Sequence, residues 1–216
     1  YDILEHEGRD LREEPLKVRR ALLESVVASA GPALIVSPLV TKSSWEELVK
    51  ERSFSRERRV EGLMLKRWDS PYRSGRKRGD WWKWKIEPFS IDAVMLYAQA
   101  GHGKRANLYT DYTFAVWDGD VLTPVAKAYS GLDNDEIQRL DKWIRKNTLE
   151  KFGPVRSVTP EHVFELAFEG IQSSTRHKSG VALRFPRLAR WREDKKTNAA
   201  DTLEQVKRLL HVEGAA

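Results

Sequence analysis

The chain has 216 residues, 40% hydrophobic and 32% charged, a balance that can build a core and argues against wholesale disorder. Lysine and arginine number 38 against 32 acidic residues, a net charge of +6, which leans toward a polyanionic partner. Cysteine is absent, excluding disulfides, thiolate metal sites and cysteine nucleophiles, and no apolar run reaches the ~18 residues of a membrane span.

The elements can be taken in chain order. Tyr1, Ile3 and Leu4 read as the end of a strand. Pro15 suits a first helical position, and Leu16, Leu23, Val26 and Val27 form a helical stripe up to Gly31. Ala33–Val40 reads as a strand. Ser44 with Glu47 fits a capping box ahead of a short helix. Val60–Lys66 and Trp81–Ile86 read as strands, joined by a glycine- and arginine-rich loop, Ser70–Asp80.

Pro88 marks the expected boundary between a first domain, 1–87, and a second, 88–216. Beyond it the pattern turns to period two. Ile91, Ala93, Met95 and Tyr97 share one face, and Gly101–Gly103 turns the chain. Ala106–Trp117 follows, and Asp118-Gly119 is a hairpin signal before Val121–Tyr129. Asp133 caps a helix whose Ile137, Leu140 and Ile144 share a face. Val163–Ile171 and Val181–Phe185 complete five strands with one helix between the third and fourth, which suits an OB-type barrel. A last helix is expected over Ala199–His211.

The densest chemistry lies in Glu61-Gly62-Leu63-Met64-Leu65-Lys66 and Trp81-Trp82-Lys83-Trp84-Lys85. Residues two apart on a strand point the same way, so Lys83 and Lys85 share a face and repel unless an anion lies between them. Phosphate is the natural anion. A regular strand puts Glu61 and Lys66 on opposite faces. A carboxylate near phosphate-binding lysines commonly holds a divalent metal. The alternative is a solvated basic strand beside a tryptophan cluster. Trp82 and Trp84 lie opposite the lysines and are expected in the core.

Two further basic groups stand out. Arg73, Arg76, Lys77 and Arg78 lie between glycines and could track a phosphate backbone, or be only an exposed charged loop. Arg184-Phe185-Pro186-Arg187, with Arg190, Arg192, Asp194 and Lys195, could fork onto phosphates or be a surface ion-pair network. The histidines show no metal-ligand spacing.

Taken together, these motifs resemble the ATP-dependent DNA ligases, within them the bacterial branch. Tyr1-Asp2-Ile3-Leu4 resembles nucleotidyltransferase motif III, Glu61–Lys66 motif IV, Trp82–Lys85 motif V, and Arg184–Arg187 through Asp194-Lys195 motif VI. The resemblance implies an α+β fold: the C-terminal part of a nucleotidyltransferase (adenylation) domain, then an OB-fold β-barrel. It implies ATP as cofactor, AMP carried on a lysine and then on the DNA 5′-phosphate, and Mg²⁺ or Mn²⁺. The 3′-hydroxyl then displaces AMP and seals the nick.

By the same resemblance Tyr1 stacks on adenine, and Lys83 and Lys85 hold the α-phosphate. Glu61 supports the metal, and Lys66 lines the nucleotide pocket. Arg184, Arg187, Arg192, Asp194 and Lys195 orient the departing pyrophosphate. Gly101–Arg105, with Lys104 and Arg105, resembles a hairpin that engages DNA, and a plain charged turn is the alternative. The implied partner is nicked double-stranded DNA, not a membrane, and the implied location is the bacterial cytoplasm at the nucleoid.

One departure is plain. The family nucleophile lies in Lys-x-Asp-Gly upstream of motif III, and these 216 residues offer only Val116-Trp117-Asp118-Gly119, which lacks the lysine. The expectation is a C-terminal piece of a longer ligase, or a chain completed by an N-terminal segment on another polypeptide. Such a chain is unable to self-adenylate. A nucleic-acid-binding module without catalysis, or a related RNA ligase or capping nucleotidyltransferase, are the competing readings.

Overall fold

The computed structural model describes residues 1–212, except the side chains of Lys104 and Val212. The chain forms two compact units, Tyr1–Ile86 and a second from Glu87 onward.

In the first unit, β1 (Glu5–His6) and β2 (Arg9–Asp10) form a short hairpin. Its turn residues Glu7 and Gly8 have φ of 49° and 76°, the left-handed pair that a tight hairpin requires. Tyr1–Leu4 are therefore not paired in a strand, contrary to expectation. Helix α1 (Leu16–Ser29) starts after Pro15. Helix α2 (Trp45–Ser53) is capped by Ser44, whose hydroxyl accepts from the Glu47 amide. Glu47 returns its carboxylate to Ser43 instead of Ser44, a shifted capping box. Strands β3 (Gly62–Lys66) and β4 (Trp81–Lys85) form an antiparallel pair.

Ala33–Val40 forms no regular element, so that strand expectation fails. The run is apolar, but Pro38 cannot donate to a ladder, and among the described residues no strand pairs with it. Ile35 is 86% exposed. Among the described residues, the buried apolar side chains of this unit are Leu11 and Leu16. What pins it is polar. Arg19 is fully buried and forks onto Asp2 (Nε–Oδ1 2.8 Å, Nη2–Oδ2 2.9 Å). It also donates to the Ser70 carbonyl at 3.1 Å and to the Glu14 carbonyl.

The second unit is a curled antiparallel sheet, the OB-like half-barrel of an α+β chain. Its strands are β5 (Phe89–Ala100), β6 (Tyr109–Asp118), β7 (Val121–Ala128), β8 (Thr148–Phe152), β9 (Val155–Val158), β10 (Val163–Phe168) and β13 (Arg187–Trp191). The order is β13-β10-β5-β6-β7. On the edge away from β6, the long strand β5 pairs first with β10 and then with β9, which pairs β8, while its ladder with β6 shifts register between Met95 and Tyr97. Strands β11 (Gly170–Ser173) and β12 (Val181–Arg184) make a separate ribbon. The expected strand Val163–Ile171 thus breaks at Glu169, and β8, β9 and β13 exceed the five strands expected.

The Leu188 amide donates to the Ser130 carbonyl at 2.8 Å, drawing the β7 end of the sheet toward β13. Gly131, at φ 119°, permits this approach: a Cβ there would lie 1.8 Å from the Leu188 carbonyl oxygen. Helix α3 (Asn134–Lys146) carries a full capping box, Asp133 with Glu136, and buries Ile137, Leu140 and Ile144. Leu140 and Ile144 join Ile91, Met95, Phe114, Phe164, Leu166 and Phe168 in one core. His162 packs between Trp143 (4.3 Å) and Trp191 (4.9 Å), and its Nε2 is buried with no hydrogen-bond partner among the described residues. Helix α4 (Leu203–Val212) starts later than the expected Ala199, which lies in a 3-10 turn.

Candidate functional site

The register of β3 and β4 decides which side chains meet. Lys66 pairs Trp81, Met64 pairs Lys83, and Gly62 pairs Lys85. Opposed residues in a ladder point to the same face, so Lys66, Lys83 and Lys85 stand on one face together with Trp81. The Lys66 ammonium sits over the Trp81 ring at 3.9 Å and the Tyr1 ring at 4.4 Å. Burial pushes its pKa below the ordinary lysine value, Asp2 opposes that shift, and Arg19 and Arg20 add to it. Tyr1 is 67% exposed, an open aromatic surface. The Tyr72 hydroxyl bonds to Tyr1, which raises the Tyr72 pKa, and Tyr72 packs edge-on against Trp81 at 5.4 Å.

Glu61 departs from the expected alternation. Its carboxylate lies 2.8 Å from the Lys85 ammonium, on the lysine face. The cause is Gly62, whose φ of 140° breaks the regular pleat. A Cβ there would sit 2.3 Å from the Trp84 carbonyl oxygen, so only glycine admits this close pairing. Glu61 and Lys66 therefore share a face.

The tryptophans also differ from expectation. Trp84 is half-buried, edge-on to Trp45 at 5.9 Å and under the Arg52 guanidinium at 4.7 Å. Trp82 is 48% exposed and is not core. Arg73, Arg76, Lys77 and Arg78 are all exposed. Arg73 has only loose contacts with Glu13 (3.8 Å) and Asp80 (3.9 Å).

In the second unit, Arg184 and Phe185 project from the end of β12 and its turn, with the guanidinium 5.2 Å from the exposed ring. Phe185 has φ 52°, costly for a bulky residue and doubly so before proline. Arg187 pairs Glu169 at 3.0 Å and Arg190 pairs Glu165 at 3.3 Å. Arg192 forks onto Asp194 at 2.9 Å through both Nε and Nη2. That fork holds the Asp194 carboxyl at about 2 and raises the Arg192 pKa above its ordinary value, as do the charges of Asp92 and Glu165. Arg192 and Lys195 converge on Asp92, each at 2.7 Å. Sequence reasoning missed Asp92, a lone acid in an apolar strand.

Gly103–Arg105 forms a 3-10 turn within the expected Gly101–Arg105 turn. Arg105 is exposed and reaches Asn134 at 3.1 Å. It borders an open cavity of about 360 Å³ with His102, Thr110, Asp111 and Tyr129. The Lys104 side chain lies outside the described residues. The turn is held to α3 by Asp141, which accepts from the Tyr109 amide at 3.0 Å, and by Arg145, which donates to the Asn107 carbonyl at 2.6 Å.

These features agree with comparisons to known proteins. A family model described as "ATP dependent DNA ligase domain" matches residues 1–85, and one described as "ATP dependent DNA ligase C terminal region" matches 105–195. A probable DNA ligase of Koribacter versatilis is 38% identical over 97% of the chain and 40% of its own length. One of Opitutus terrae is 40% identical over 100% of the chain and 24% of its length. A DNA ligase of Natronomonas pharaonis is 35% identical over 97% and 37%. The chain therefore spans two-fifths or less of these relatives. Two solved structures share its fold: Pmar-Lig_Pre (TM-score 0.61, 17% identity, 84% of this chain and 40% of that one) and a Lig E DNA ligase (0.58, 22%, 83% and 59%).

The two units thus define a nucleotidyltransferase-type chain with an OB-like half-barrel. The chain belongs to the ATP-dependent DNA ligase family.

Proposed function

We propose that this chain carries the nucleotide-phosphate face and the DNA-gripping half-barrel of an ATP-dependent DNA ligase that seals nicked duplex DNA. The observation that carries the reading is the single face bearing Glu61, Lys66, Lys83 and Lys85. Fixed cations there stabilise the charge that develops on phosphoryl oxygens during transfer, without reorganisation. Lys83 and Lys85 hold the α-phosphate of ATP or of adenylated DNA. Tyr1, exposed above Lys66, offers a ring to the base.

The residues fit the metal in a limited way. Among the described residues no group of three or more His, Asp or Glu could hold an ion. Glu61 alone, together with substrate phosphate oxygens, is the common way Mg²⁺ or Mn²⁺ is held at such sites. A bound ion there neutralises phosphoryl charge. Arg184, Arg187, Arg192, Asp194 and Lys195 form the pyrophosphate-orienting segment. Arg73, Arg76, Lys77, Arg78, Lys104 and Arg105 contact the DNA backbone. The setting we propose is DNA repair, replication or recombination in the bacterial cytoplasm, with 1–87 as a partial adenylation domain and 88–216 as the OB-fold domain. Among the described residues no helix is long and apolar enough to cross a membrane.

A second reading rests on one fact of the sequence: these 216 residues hold no Lys-x-Asp-Gly. By that reading the chain alone is a DNA-binding module, and a segment bearing the lysine completes it. Sealing of a chemically pre-adenylated nick, which needs no lysine nucleophile, separates the two. Sealing supports the ligase reading, and DNA binding without sealing supports the module.

A further inference from the structure

The basic segment 192–195 rests on a buried acid in its own unit. Asp92 on β5 is 9% exposed. Its Oδ2 accepts from both Arg192 and Lys195 at 2.7 Å, while its buried Oδ1 has no partner among the described residues. The rest of the Arg192 fork is taken by Asp194. Only 19% of the Arg192 side chain and 23% of the Lys195 side chain remain exposed.

The anchor is built from several directions. The Asp92 amide donates to Asp201 Oδ2, the Asp201 amide donates back to the Asp92 carbonyl, both at 2.8 Å, and the Arg192 amide donates to the Val163 carbonyl at 2.9 Å. Directly across the ladder from Asp92 stands Glu165. Like charges in that position repel, so the two cations are what make the buried acid tolerable. Removing them leaves an uncompensated buried charge.

An external polyphosphate that needs Arg192 or Lys195 therefore meets cations already bound to carboxylate. We propose that Asp92 is a positioning residue that holds Arg192 and Lys195 in place as an internal substitute for phosphate, and that a pyrophosphate-class anion engages them only by displacing its carboxylate. This rests on the reading of segment 184–195 as phosphate-binding. The device keeps the segment ordered while its charge is withheld from ligands too weak to compete.

The test is calorimetric titration of inorganic pyrophosphate into the 216-residue chain. Asp92→Asn keeps the shape and removes the competing charge. It should bind pyrophosphate about fivefold or more tightly than the parent, and Arg192→Gln with Lys195→Met in that background should erase the gain. Equal affinities, or no binding by either protein, overturn the proposal. Should Asp92→Asn fail to fold, the parent suffices: pyrophosphate should shift the Arg192 Nε–H resonance, assigned by its loss in Arg192→Lys. Binding that leaves that resonance unmoved overturns the proposal. The titration involves no nick sealing, so failure here leaves the ligase reading to be judged by the pre-adenylated nick.

Discussion

Glu61 lies 2.8 Å from Lys85 because Gly62 turns it onto the lysine face. The carboxylate fixes the Lys85 ammonium on the face that also carries Lys66 and Lys83. The relationship depends on a backbone conformation that other residues rarely adopt. Gly62→Ala places a Cβ 2.3 Å from the Trp84 carbonyl oxygen. It should destabilise the β3–β4 pair by about 2 kcal/mol and speed amide exchange across that pair. Unchanged exchange would refute the account of Gly62.

Arg19 and Asp2 are nearly devoid of solvent, at 0% and 3% side-chain exposure. Asp2→Ala leaves the guanidinium buried without its fork. The expected loss is about 3–5 kcal/mol, read from denaturant unfolding of the first unit by tryptophan fluorescence. A loss below about 1 kcal/mol, the scale of a surface pair, would show that the pair is not structural.

His162 gives the second unit a pH dependence. Burial lowers its pKa below the ordinary histidine value, the charges of Glu161 and Glu193 partly offset this, and Arg139 adds to it. Its folded-state pKa lies below its unfolded one. Between them the unfolded chain binds more protons, so stability rises with pH across that window. Stability should therefore fall as pH drops from about 6.5. His162→Phe, which keeps an aromatic between Trp143 and Trp191, should flatten that part of the profile in thermal melts. An unchanged slope would exclude His162 as its source.

DNA affinity should fall steeply with salt, because Arg73, Arg76, Lys77, Arg78 and Arg105 are exposed and suited to phosphates. Each lost phosphate contact should reduce the log–log salt slope by about 1. Alanine at Arg76, Lys77 and Arg78 together should lower it by roughly 3. A slope equal to the parent's would return that loop to the solvent.

Much of this was legible in local chemistry. Ser44 and Asp133 cap their helices, Asp118-Gly119 turns its hairpin, and the alternation of Lys83 and Lys85 fixes their shared face. What escaped reading depends on distance or on single torsions. Asp92 meets partners 100 and 103 residues away, and no spacing rule announces that. Glu61 changes face through one φ angle. Ala33–Val40 has strand composition, but a strand needs a neighbour to pair with. Trp82 has core chemistry, yet this unit buries only Leu11 and Leu16 among its described apolar side chains. Strand β8 is largely polar and exposed and β9 has only four residues, so periodicity gave the hairpin little signal.

The most direct test of the central claim is the rate at which this chain, with Mg²⁺, seals a pre-adenylated nick, compared with Lys83→Ala and Lys85→Ala. The account predicts sealing by the parent and a loss of about 100-fold or more in each variant, with the fold retained by circular dichroism. Parent sealing that survives both substitutions, or DNA binding with no sealing at all, would contradict it.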